Sequence, residues 1–61
     1  TALDRVLEDL RRMSAPLADA ALLLIYTPAT MDEAAKVAEL SLRSFERRWQ
    51  ATRAWIQEQL S

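Results

Sequence analysis

The chain contains no cysteine, no histidine and no glycine, and only two prolines. Without cysteine there is no disulfide, no thiol nucleophile and no zinc thiolate. That absence is compatible with the cytoplasm, the expected location. Without histidine the commonest metal ligand and the commonest general base are both missing. A glycine-rich phosphate loop is excluded, and tight hairpin turns that need positive φ have no residue to build on. The longest apolar run, Ala20–Tyr26, falls well short of the roughly 20 residues of a membrane-spanning helix. No basic start followed by an apolar stretch marks a signal peptide. The expectation is therefore a protein with no membrane partner.

Chemistry is equally sparse. Asp4, Glu8 and Asp9 fall on what reads as a solvated helix face, with no base or metal partner beside them. Tyr26, the single tyrosine, stands at a helix end. The sequence offers no catalytic residue, no metal site, no cofactor site and no small-molecule substrate pocket, so the expected class is not an enzyme.

What is present favours helix. Hydrophobic residues make up 51% of the 61 residues, with alanine and leucine prominent, and these are strong helix formers together with arginine, glutamate and glutamine. A chain this short makes one domain and buries only about 60% of its unfolded surface, so its stability is marginal. Apolar spacing of three and four predicts an all-α fold, a compact four-helix bundle with helices over about 2–13, 16–26, 31–39 and 42–60. In the first helix Leu3, Val6, Leu7, Leu10 and Met13 or its neighbour form the apolar stripe behind a Thr1 cap. Ser14 can cap the second helix, where Pro16 is tolerated in the first turn. Leu17, Ala20, Ala21, Leu24 and Ile25 make its stripe, widened by Leu22 and Leu23, so this helix is expected to be the most buried. Thr27-Pro28-Ala29 breaks it. Thr30 and Glu33 have the capping-box spacing. In the last helix Leu42, Phe45, Trp49, Thr52, Ile56 and Leu60 follow the helical period, which predicts Trp49 buried and leaves Trp55 half exposed.

The last two helices carry the parts of a helix-turn-helix, over about residues 31–50. Such a motif crosses two helices over a turn of three or four residues. Ala35 is the small residue at the crossing, Glu39-Leu40-Ser41 the turn, Leu40 its apolar plug and Phe45 the residue that packs back. Ser41 as N-cap leaves backbone amides free to meet a phosphate. The formal net charge is only −1, yet four arginines, Arg43, Arg47, Arg48 and Arg53, face one acid, Glu46, between Ser41 and Trp55.

The stretch Met31-Asp32-Glu33-Ala34-Ala35, then Leu40-Ser41-Leu42-Arg43-Ser44-Phe45-Glu46-Arg47-Arg48-Trp49, then Ala51-Thr52-Arg53-Ala54-Trp55 resembles region 4 of extracytoplasmic-function (ECF) sigma factors. That is the C-terminal DNA-binding domain of those members of the sigma-70 family. The likeness is closest from Arg48 to Leu60 and extends over nearly the whole chain. The resemblance implies bacterial transcription initiation, with a promoter −35 element and the RNA polymerase β subunit flap as partners and an anti-sigma factor as a further one. It also implies a domain excised from a longer chain. Carried over by position, Leu42, Arg43, Glu46 and Arg47 face the groove, Ser41, Ser44 and Arg48 are phosphate contacts, and Arg53 is a peripheral one. Three positions depart from the family pattern. Glu39 replaces the usual turn glycine, Leu42 is apolar, and Glu46 is acidic. The segment Thr27-Pro28-Ala29 also lacks the usual loop glycine. The competing reading is a sigma-like protein-interaction module that binds polymerase, an anti-sigma factor or itself without reading DNA.

Overall fold

Four hydroxyl side chains set where the helices start. The computed structural model describes residues 1–61, with α1 at Ala2–Met13, α2 at Ala15–Tyr26, α3 at Met31–Val37 and α4 at Leu42–Leu60. Thr1 Oγ1 accepts the Asp4 N–H at 3.2 Å, and Ser14 Oγ accepts the Leu17 N–H at 3.4 Å. Thr30 Oγ1 accepts the Glu33 N–H at 3.2 Å while the Glu33 carboxylate accepts the Thr30 N–H at 3.0 Å. Ser41 Oγ accepts the Ser44 N–H at 3.2 Å. Each bond satisfies an amide that a helix start leaves without a partner. The Thr30 amide also holds the Glu33 carboxyl below its ordinary pKa, because the bond favours the charged form.

Thr27 does the work of the missing loop glycine between α2 and α3. Its hydroxyl donates to the Leu23 carbonyl at 2.6 Å and accepts the Ala29 N–H at 3.2 Å, bracketing Pro28. The connection is closed by side-chain hydrogen bonds rather than by a left-handed residue.

The helices pack in chain order, α1 on α2, α2 on α3 and α3 on α4, and α4 returns onto α1. The core is built largely of methyl groups. Ala18, Ala20, Ala21, Ala34, Ala35 and Ala38 are buried beside Val6, Leu7, Leu10, Leu17 and Ile56. Alanines let the helix backbones approach closely, and Phe45, fully buried, fills the space that remains. The one buried polar side chain, Thr52, donates to the Arg48 carbonyl at 2.8 Å, so no buried side-chain polar atom lacks a partner. Arg11 and Asp19 pair at 2.8 Å between α1 and α2. Both are half exposed, so the pair contributes at most about 1 kcal/mol.

Several expectations need correction. Helix α3 ends at Val37, two residues before the expected 39, because Glu39 takes φ 61° and turns the chain. Met13 is 64% exposed rather than buried with the stripe, because it stands at the end of α1 on the rim of an open groove with Leu10, Leu17 and Trp55. Helix α2 is buried only over its first half. Leu17, Ala20 and Ala21 are inside, Leu22, Leu23 and Leu24 are half-buried, and Ile25 is exposed. Trp49 is half-buried rather than buried, as Trp55 is.

Candidate nucleic-acid interface

The turn between α3 and α4 is a left-handed helix cap. The Leu40 N–H donates to the Ala35 carbonyl at 3.0 Å and the Glu39 N–H to the Lys36 carbonyl at 3.1 Å. This pair of bonds defines the Schellman motif, whose pivot residue must be left-handed. Glu39 is that residue and the chain's one position with positive φ. Leu40 is at the turn but 36% exposed, so it does not plug the angle by itself. The backbone cap closes the turn, and small residues, Ala34 and Ala35 of α3 and Ala38 at its cap, share the buried core with Phe45 of α4.

Phe45 fixes the rotation of α4. It is fully buried and stacks on Trp49 one turn later, with ring centroids 6.2 Å apart and planes at 12°. Thr52 and Ile56 continue the inward face. At about 100° per residue, Arg43, Arg47, Gln50 and Ala54 then lie within about 40° of the direction opposite Phe45. All four are exposed. Glu46 sits on the shoulder of that face and, with Arg43, Arg47 and Gln50, completes an i, i+3, i+4, i+7 stripe, the spacing of helix neighbours on one side.

The expected contact residues thus divide into three groups. Arg43, Glu46 and Arg47 stand together on the outer stripe. Arg48 and Arg53 are separated onto opposite flanks of α4. Arg48 borders the groove with Leu10, Leu17 and Trp55, whereas Arg53 borders the one with Leu3, Ile25 and Leu60. Ser41, Leu42 and Ser44 form the helix start, all exposed. The Ser41 carbonyl accepts the Phe45 N–H at 2.8 Å and its hydroxyl caps Ser44. The amides of Leu42 and Arg43 are left without a protein acceptor, pointing out of the first turn. Gln50 belongs to the outer stripe although no charge marks it in the sequence. The helical period counted from Phe45 was the signal that could have found it.

Electrostatically the face is unspent. The four ion pairs involve Thr1, Asp4, Asp9, Arg11, Arg12, Asp19, Asp32 and Lys36. None uses Arg43, Arg47, Arg48, Arg53 or Glu46. Four guanidiniums and one carboxylate therefore remain available to an outside partner. No cluster of acidic residues could hold a metal ion, and no helix is long and apolar enough to cross a membrane.

Exposed, unpaired arginines on a helix held by a turn and a buried phenylalanine can do two things. They can bond the acceptor edges of bases and neutralise phosphates. The family model described as ECF sigma factor matches residues 1–61, the whole chain. No curated protein and no solved structure matches.

Proposed function

The chain belongs to the ECF sigma factor family, whose role is transcription initiation, and we propose that it acts there as the region 4 domain that reads a promoter −35 element. In this reading α4 lies in the major groove, where a helix fits and where each base pair presents a distinct pattern of donors and acceptors. Arg43 and Arg47 bond base edges, with guanine O6 and N7 the favoured acceptors. Ser41, Ser44 and the free amides of Leu42 and Arg43 meet phosphate at the helix start. Arg48 and Arg53 reach the backbones on the two walls of the groove, one from each flank of α4. Leu42 lies at the entry, where an apolar side chain suits a thymine methyl. The observation that carries the reading is the unpaired outer stripe opposite Phe45.

The β flap of RNA polymerase is the proposed protein partner. The half-buried and exposed apolar residues Leu22, Leu23, Tyr26 and Val37 line a groove contributed by α2 and α3 without any residue of α4. Such a surface supports polymerase and DNA being held at once.

The test is the salt dependence of binding to promoter duplex. Two to four phosphate contacts give a log–log slope of about −2 to −4. Retained binding to the isolated β flap with no measurable duplex affinity at low salt is the result that replaces promoter reading by the interaction module.

A further inference from the structure

Glu46 is the single acid among the arginines of the reading half of α4, and nothing in the fold explains it. A carboxylate that merely moderates a basic helix forms ion pairs one turn away. Of the residues three and four away, Leu42, Trp49 and Gln50 carry no charge, and the one cation, Arg43, makes no ion pair with it. Arg43, Arg47 and Arg48 are near in sequence, yet none is in an ion pair with it. The side chain is exposed and contributes to no helix cap. It stands in the same i, i+3, i+4, i+7 stripe as Arg43, Arg47 and Gln50, the spacing by which homeodomain recognition helices address bases. From Arg43 to Gln50 the stripe is about 10 Å long, the length of roughly three base-pair steps.

Resting on the groove reading above, we infer that Glu46 is a specificity-determining residue that selects cytosine at one base pair of the −35 element. The major-groove edge of cytosine presents only the N4 amino donor, which an ionised carboxylate accepts. Guanine presents N7 and O6 acceptors, and thymine presents O4 and a methyl group. Both oppose a negative charge. Adenine presents an N6 donor beside the N7 acceptor, so one carboxylate oxygen gains what the other loses. Glu46 therefore rewards one base and penalises the others, while its charge lowers affinity for all DNA by repelling phosphate. A reader of this kind exchanges general affinity for discrimination.

The experiment selects bound sequences from a randomised duplex pool, using RNA polymerase reconstituted with the full-length protein. Wild type, Glu46→Ala, Glu46→Gln and Arg43→Ala are compared. Wild type enriches cytosine at one position. Glu46→Ala loses that enrichment by about tenfold at that position alone, while its affinity for unselected DNA rises. Glu46→Gln moves the preference there toward adenine, because an amide can donate to N7 and accept from N6 together. An unchanged profile for Glu46→Ala, with affinity raised equally for every sequence, overturns the assignment and leaves Glu46 as a repulsive bystander. If Arg43→Ala changes the profile in that case, the groove reading survives and only the Glu46 role falls. If neither variant changes it, both fall.

Discussion

The Leu40 amide reaches back across the helix end to the Ala35 carbonyl, 3.0 Å away, and it can do so because Glu39 between them is left-handed. The angle at which α4 leaves α3 is therefore set by a backbone conformation that a side chain with a Cβ resists. The left-handed form costs a non-glycine residue about 1–2 kcal/mol.

Glu39→Gly relieves that strain. Part of the gain is offset by the entropy of the freer unfolded chain, leaving a net stabilisation of about 0.5–1 kcal/mol, read as a higher denaturant midpoint at constant m-value. Glu39→Val, β-branched at the same φ, moves the midpoint the other way. A destabilised Glu39→Gly protein means that the Glu39 side chain makes a contribution the turn geometry does not account for.

Phe45 is the largest fully buried side chain in a core otherwise made mainly of alanine and short aliphatic residues. Phe45→Ala removes about 3–5 kcal/mol, a large share of what a domain of this size possesses. The expected circular-dichroism melt is broad and shifted to low temperature, with helix content reduced at 25 °C. A melting temperature within a few degrees of wild type contradicts the role given to Phe45 in orienting α4.

Glu33 gives α3 a dependence on acid. Its pKa is depressed in the folded state by the Thr30 amide, so its charged form is favoured by folding. The contribution is present above the unfolded carboxylate pKa and fades as pH falls through the lower, folded value. Stability should thus decline on acidification across and below the ordinary glutamate range near about pH 4.3. Glu33→Gln should flatten that decline while leaving a weaker cap in place. Identical acid limbs for the two proteins would remove the capping carboxylate from the account.

The arginines should separate by function. Arg43→Ala and Arg47→Ala weaken binding and change base preference, each costing about 1–3 kcal/mol at the preferred sequence. Arg48→Ala and Arg53→Ala weaken binding alike for all sequences and reduce the salt slope by about 1 each. Quantitative duplex binding at several salt concentrations distinguishes the two pairs. A uniform effect of all four substitutions leaves a basic surface with no reading face.

Helix starts were legible because each is announced by a local signal, the hydroxyls of Thr1, Ser14, Thr30 and Ser41. The end of α3 was harder to place because Glu39 occupies a position that glycine would have advertised. Burial along a stripe was legible only where a neighbouring helix continues. Periodicity put Met13 and Ile25 inside, but each lies at a helix end with less packed around it, and periodicity carries no information about where a neighbour stops. Of the candidate interface, the residue types were readable. Their division into an outer stripe and two flanks required the rotation of α4, which depends on which aromatic side chain is wholly buried. Phe45 is, and Trp49 is not.

The methyl-lined contact between α3 and α4 leaves little room for enlargement, since Ala34 and Ala35 have almost no exposed surface. Sequence drift in such a domain is steered outward. Bulkier residues at the crossing would push the two helices apart, whereas Arg43, Glu46, Arg47 and Gln50 are exposed and none of them is in an ion pair. Under the proposed promoter reading, new preferences are installed by exchanging that stripe on an unchanged scaffold, which makes the domain a frame for retargeting by selection or by design.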